Sequence, residues 1–146
     1  MSQYTNQTAI LGEIQESDLI ALTDDGGLGA IDSTVLGQQI TNASGFIDSK
    51  VANIYGTQLP FDPIPSSVAS MALPLVCYRV LRRREVPDEK NKFAEDYKDV
   101  VDFLNRVNKG EAMIDDVVSR DFAQVVYTSR NTTYGVKSSN MPANSL

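Results

Sequence analysis

The sequence predicts an all-α fold, a bundle of about four helices followed by a long C-terminal arm that contains a short β-like segment. Three observations carry this reading. Leu36, Ile40, Ala43, Ile47 and Val51 recur at steps of four, three, four and four, the spacing of a single helix face. Val68 to Leu81 is apolar nearly all round a helix, the pattern of a central, buried element. Residues 111–146 show no helical period and are rich in Ser, Thr and Asn.

The first predicted helix is short. Ser17 offers an N-cap to Asp18-Leu19-Ile20-Ala21-Leu22, with an acidic first turn, and Gly26 and Gly27 stop it. The second begins near Asp32 or Ser33 and carries the stripe from Leu36 to Val51. Gly56, Pro60, Pro63 and Pro65 then impose an extended connection. The third starts at Ser66. Pro74 lies inside it and is expected to kink it, because proline removes a backbone donor and crowds the preceding turn. Arg82, Arg83 and Arg84 fall in its last turn, where cations complement the helix dipole. Asp88 is the expected cap of a fourth helix whose apolar face reads Phe93, Tyr97, Val100, Val101, Leu104 and Val107, and Gly110 ends it. The expected organisation is an N-terminal tail (1–9), a helical domain (10–110) and an extended arm (111–146), within which Phe122 to Thr128 has β-like composition. Extended, that arm spans up to roughly 120 Å at about 3.3 Å per residue.

Composition narrows the function. A chain of 146 residues with 42% hydrophobic and 22% charged residues fits one globular domain rather than a disordered or fibrous chain. Cys77, the single cysteine, excludes an intrachain disulfide and sits where a buried thiol belongs, consistent with assembly in a reducing cytoplasm. No apolar run reaches the roughly 20 residues of a membrane span, and the first residues do not read as a signal peptide, so a soluble, unexported protein is expected. Histidine is absent, which removes the usual general base near neutral pH and the commonest metal ligand; no catalytic residue, metal or cofactor is assigned. A net charge of −6 opposes gripping nucleic-acid phosphates as the main task. The charge is uneven: residues 1–65 hold eight carboxylates against Lys50 alone, whereas residues 66–87 hold four arginines against Glu85. Such asymmetry suits pairing of surfaces within or between subunits, and equally suits solvated faces.

The segment from Asp24 to Asp32 has the glycine spacing of a calcium loop, but positions three, five and twelve fall on Gly26, Leu28 and Val35, which supply no side-chain oxygen. A plain loop between helices is the preferred reading. Arg82, Arg83 and Arg84 have three uses open to them: finishing the helix, forming salt bridges to a neighbouring subunit, or touching DNA phosphates. The mixed charges of the fourth helix read as a solvated, ion-paired face rather than a catalytic carboxylate pair. Phe122, Val125, Val126, Tyr127, Arg130 and Tyr134 are the candidate interface residues, because aromatics and arginine on a segment without its own core are typical anchors and a β-like run adds to a partner's sheet edge.

One stretch is more specific. Residues 42–60 run Asn42-Ala43-Ser44-Gly45-Phe46-Ile47-Asp48 through Tyr55 to Leu59-Pro60, preceded by Asp18-Leu19-Ile20 and an Asp/Gly loop. They are followed by a proline-rich link, a helix ending Cys77-Tyr78-Arg79-Val80-Leu81, and a last helix with Tyr97, Leu104 and Gly110. This order resembles the Mu-like phage head-tail connector (neck adaptor) family, with Ile54 standing where that family usually has Arg. The resemblance implies a non-catalytic virion protein of the neck, assembled in the host cytoplasm. It would form a homo-oligomeric ring of twelve subunits between the portal protein and a tail completion or tail terminator protein, passing genomic DNA without sequence specificity and touching no membrane. Residues 122–134 would dock on the portal or on a neighbouring subunit, and an acidic N-terminal half would suit a channel wall along which DNA slides. The alternative is a small phage-encoded nucleic-acid-binding protein using Arg82 to Arg84.

Overall fold

A computed structural model describes residues 3–115 and 117 of the chain. The helices lie in the compact unit Met1–Asp116, in the order α1 (Gln7–Leu11), α2 (Glu16–Thr23), α3 (Ser33–Tyr55), α4 (Ser66–Arg83) and α5 (Ala94–Asn108), with 3-10 turns at Gly56–Gln58 and Asp88–Lys90. Among the described residues there is no strand, so the all-α bundle is the observed fold.

Helices α3, α4 and α5 pack against one another, and α1 and α2 both pack on α4. The expected stripe of α3 is the buried one: Leu36, Ile40, Ala43, Ile47, Val51 and Tyr55 face inward. Its start is also as predicted, with the Asp32 carboxylate accepting from the backbone N–H of Thr34 (2.9 Å) and Val35 (3.2 Å). Val68, Ala72, Leu75, Val76, Cys77, Tyr78 and Val80 of α4 are buried, because this helix touches all four others. Pro74 sits within it, with helix continuing on both sides. Each fully buried aliphatic side chain contributes about 1.5–3 kcal/mol, so the facing rows of α3 and α4 together supply much of the cohesion.

Three features differ from the sequence expectation. Helix α1 went unseen because five residues are too few to show a period; Asn6 caps it by accepting from Ala9 N–H at 2.9 Å. Helix α2 starts at Glu16 without a side-chain cap, so Ser17 lies inside it; Glu16 and Asp18 in the first turn complement the dipole instead. Asp88 does not cap the last helix. It opens a 3-10 turn and accepts from the Tyr78 hydroxyl (2.9 Å), while the buried Asn91 side chain accepts from Phe93 N–H (3.0 Å) ahead of α5.

The packed unit extends past the expected boundaries of the helical domain. Tyr4 is buried: its N–H donates to the Ser44 hydroxyl (2.9 Å), its own hydroxyl donates to Asp48, and Phe61 N–H donates to it (3.1 Å). Phe61 lies between the rings of Tyr4 and Tyr55, 6.0 and 6.1 Å away. At the other end Ile114 is buried, and its N–H donates to the Tyr55 hydroxyl (2.9 Å).

Candidate functional site

In the structure Arg82, Arg83 and Arg84 each have a partner within the chain. The loop after α2 is built by Asp24, whose two carboxylate oxygens accept from the N–H groups of Leu28 (2.8 Å) and Gly29 (2.7 Å). Gly27 and Gly29 take φ of 69° and 76°, the left-handed region that this tight turn requires and that side chains disfavour. Those N–H bonds hold the Asp24 carboxyl below the usual carboxylate range. Asp24 is therefore occupied by backbone and Asp32 by its own helix, which leaves the calcium-like spacing without a ligand set. Among the described residues no group of three or more His, Cys, Asp or Glu is placed to hold a metal.

Arg83 and Arg84 close over the same loop from the end of α4. Both pair with Asp25, Arg84 at 2.9 Å, and both donate to the Leu22 carbonyl, at 3.1 and 3.4 Å. The Arg83 bond, before all else, lowers the Asp25 carboxyl. Side chains 27–46% exposed make this a weak clamp, but it joins the C-terminal ends of α2 and α4, where both helix dipoles favour cations. Arg82 turns elsewhere and donates to the Tyr78 hydroxyl (2.9 Å), which raises the guanidinium pKa further. Burial, then the bond to Asp88, raises the Tyr78 hydroxyl, whose ring stacks on Tyr97 with centroids 3.9 Å apart. These three arginines thus have partners within the chain. The α5 face is solvated, as expected, but not ion-paired: among the described residues its carboxylates and bases form no bridge within 4.0 Å.

Phe122, Val125, Val126, Tyr127, Arg130 and Tyr134 lie outside the described residues. Cys77 is buried, and burial pushes its thiol up to about 12, the opposite of an activated nucleophile.

Sequence reasoning missed a groove of about 340 Å³ beside the middle of α4. Leu73, Pro74, Phe93 and Val100 form its apolar floor, and Glu13, Asp96 and Asp99 stand around it with Ser70. Its one legible signal was Pro74, a proline in an otherwise apolar helix. A second groove of about 480 Å³, sharing Glu13, runs along α2 and includes Lys90 and Lys92; the latter donates to the Glu13 carbonyl at 2.9 Å. At the tip of the Asp24 loop, Leu28 is 88% exposed. These surfaces are shallow and furnish contacts rather than an enclosed reaction chamber.

The family described as Bacteriophage Mu, Gp36 matches residues 4–123, which takes in Tyr4, all five helices and Ile114. No curated protein matches the chain.

Proposed function

The chain belongs to the Bacteriophage Mu, Gp36 family, a phage structural protein family, and from that premise we propose that it is a head-tail connector of the phage neck. The observation that carries the reading is the family match over the whole helical body. In this reading, copies of the body form a ring between the portal protein and a tail completion or tail terminator protein. The arm supplies the docking contacts through Phe122, Val125, Val126, Tyr127, Arg130 and Tyr134.

The chemistry of the chain supports this assignment. The described carboxylates and arginines around the Asp24 loop hold local structure, as suits a protein acting through contacts. Eight carboxylates in residues 1–65 against one base would repel DNA from any wall they line and let it slide. Heterologous contact of one copy with the next closes a ring when the rotation between them closes. The arm joins partners by burying aromatic side chains that have no core of their own.

The decisive experiment localises the protein in the particle. Gold label on a tagged copy is expected at the junction of head and tail; label along the tail or over the capsid shell overturns the neck assignment. For the arm, a chain lacking residues 120–146 is expected to keep its helical circular dichroism and to lose portal capture in a pull-down. Undiminished capture rules out the arm as the element that docks on the portal. The nucleic-acid alternative predicts retardation of DNA in a low-salt gel that is lost on changing Arg82, Arg83 and Arg84 to Ala. The intrachain partners of those arginines disfavour it.

A further inference from the structure

We propose that the groove between Glu13, the middle of α4 and the first half of α5 is the seat for residues 127–134 of a second copy of this chain. The inference deepens the neck assignment and rests on its premise that several copies assemble.

The groove has a consistent chemical character. Leu73, Pro74 and Phe93 give it apolar surface, and Glu13, Asp96 and Asp99 line it too; Lys92, though not a lining residue, brings its Nζ to 5.1 Å from the Phe93 ring centroid, where it donates to the Glu13 carbonyl and leaves the side-chain carboxylates of Asp96 and Asp99 open. None of the three carboxylates is in an ion pair among the described residues. Pro74 adds a backbone acceptor: lacking an N–H, it cannot make the helix bond to the Ser70 carbonyl, and Ser70 and Pro74 line the groove together. The site therefore offers hydrogen-bond acceptors over an apolar base, the complement of a cation flanked by aromatic rings. A volume of about 340 Å³ accepts a few side chains, not a whole domain.

The chain itself carries such a segment. Residues 1–116 hold ten bases against eighteen acids, whereas residues 117–146 hold Arg120, Arg130 and Lys137 against Asp121, so the body is −8 and the remainder +2. From Phe122 to Leu146 there is no Asp or Glu. In the sequence Arg130 stands between Tyr127 and Tyr134; phenol rings suit the apolar lining, and a guanidinium suits Asp96, Asp99 and the Ser70 carbonyl. Thirteen residues separate Asp116 from Arg130 and span up to about 45 Å when extended, enough to leave one body and reach another. In a ring each copy would then give its arm to the next, a heterologous contact using two different surfaces of one chain.

The test uses two full-length variants, Ser70→Cys and Ser129→Cys, mixed in equal amounts under mild oxidation; Cys77 stays in place because it is buried. Crosslinked heterodimer is expected well above either homodimer. It should fall several-fold when Asp96→Asn and Asp99→Asn are added to the Ser70→Cys copy, and fall with salt. Both aspartates are exposed, so unchanged circular dichroism and Tm control for folding. Oligomers by sedimentation without that crosslink, or with one indifferent to the two Asn changes, overturn the inference and leave the neck reading standing. An intrachain bond in the Ser70→Cys/Ser129→Cys double variant, with no intermolecular product, overturns it in favour of docking within one chain. A chain that stays monomeric at all concentrations, with the purified portal protein present, overturns the assembly premise as well.

Discussion

Asp25 shows how little a side chain must bury to organise its surroundings. About half exposed, it receives Arg83 and Arg84 and so ties the end of α4 to the loop after α2, while Asp24 beside it folds the loop through Leu28 and Gly29 N–H. Both carboxyls sit below the ordinary aspartate value, so each favours the folded loop when ionised. That contribution is fully present above about pH 4, the unfolded value, and is lost as pH falls through the lowered folded values. The amide shifts of Leu28 and Gly29, followed by NMR from pH 7 downward, are expected to change with midpoints below pH 4. Midpoints at or above 4 would contradict the hydrogen bonding described. Cys77 yields a second expectation. With its thiol buried and pushed up to about 12, the native protein at pH 8 should not react with a thiol reagent, and full reaction should appear only on unfolding.

At the scale of the element, the two long C-terminal helices end alike with different residues. After α5, Gly110 takes φ 78°, its N–H bonds to Val107 O (2.9 Å), and Glu111 N–H bonds to Arg106 O (2.8 Å). After α4, Glu85 takes φ 59°, its N–H bonds to Arg82 O (2.8 Å), and Val86 N–H bonds to Leu81 O (3.3 Å). Both are Schellman closures, but only the first has the residue that adopts this backbone freely. Glu85→Gly is therefore expected to stabilise the protein by about 0.5–1 kcal/mol, strain relief exceeding the added freedom of the unfolded chain. A urea midpoint that falls would refute the argument. Gly110 was legible in the sequence as a stop signal; Glu85 was not, because nothing in its side chain announces a left-handed backbone. The same division holds at helix starts. Asp32 is a cap by its own chemistry, whereas Asp88 was drawn off by the Tyr78 hydroxyl, a partner ten residues away that only the packed helix presents.

At the scale of the whole molecule, the periodic stripes assigned the three long helices and the buried face of α3, whereas of the face expected for α5 only Leu104 and Val107 of the helix are buried, and the limits of the packed unit lay beyond the stripes. Tyr4 and Ile114 are single apolar residues outside any periodic run, yet both close the end of the bundle around Tyr55 and Phe61. A chain ending at residue 110 should be less stable than one ending at 116 by about 2–3 kcal/mol. It loses a fully buried isoleucine and leaves the Tyr55 hydroxyl without Ile114 N–H. Equal denaturation midpoints for the two would show that the helical domain ends at Gly110 after all. The groove beside Pro74 was likewise hidden, since Glu13, Ser70, Asp96 and Asp99 come from three stretches of chain that meet only when α4 and α5 pack. By itself, then, the sequence determined the helical class, the α3 stripe, the buried α4 and the family, because periodicity and local residue order are properties of contiguous chain. Only the tertiary structure decided which partners Arg82, Arg83, Arg84 and Asp88 take and where acceptors gather around an apolar floor. Those depend on distances between residues far apart in sequence, which no local pattern encodes.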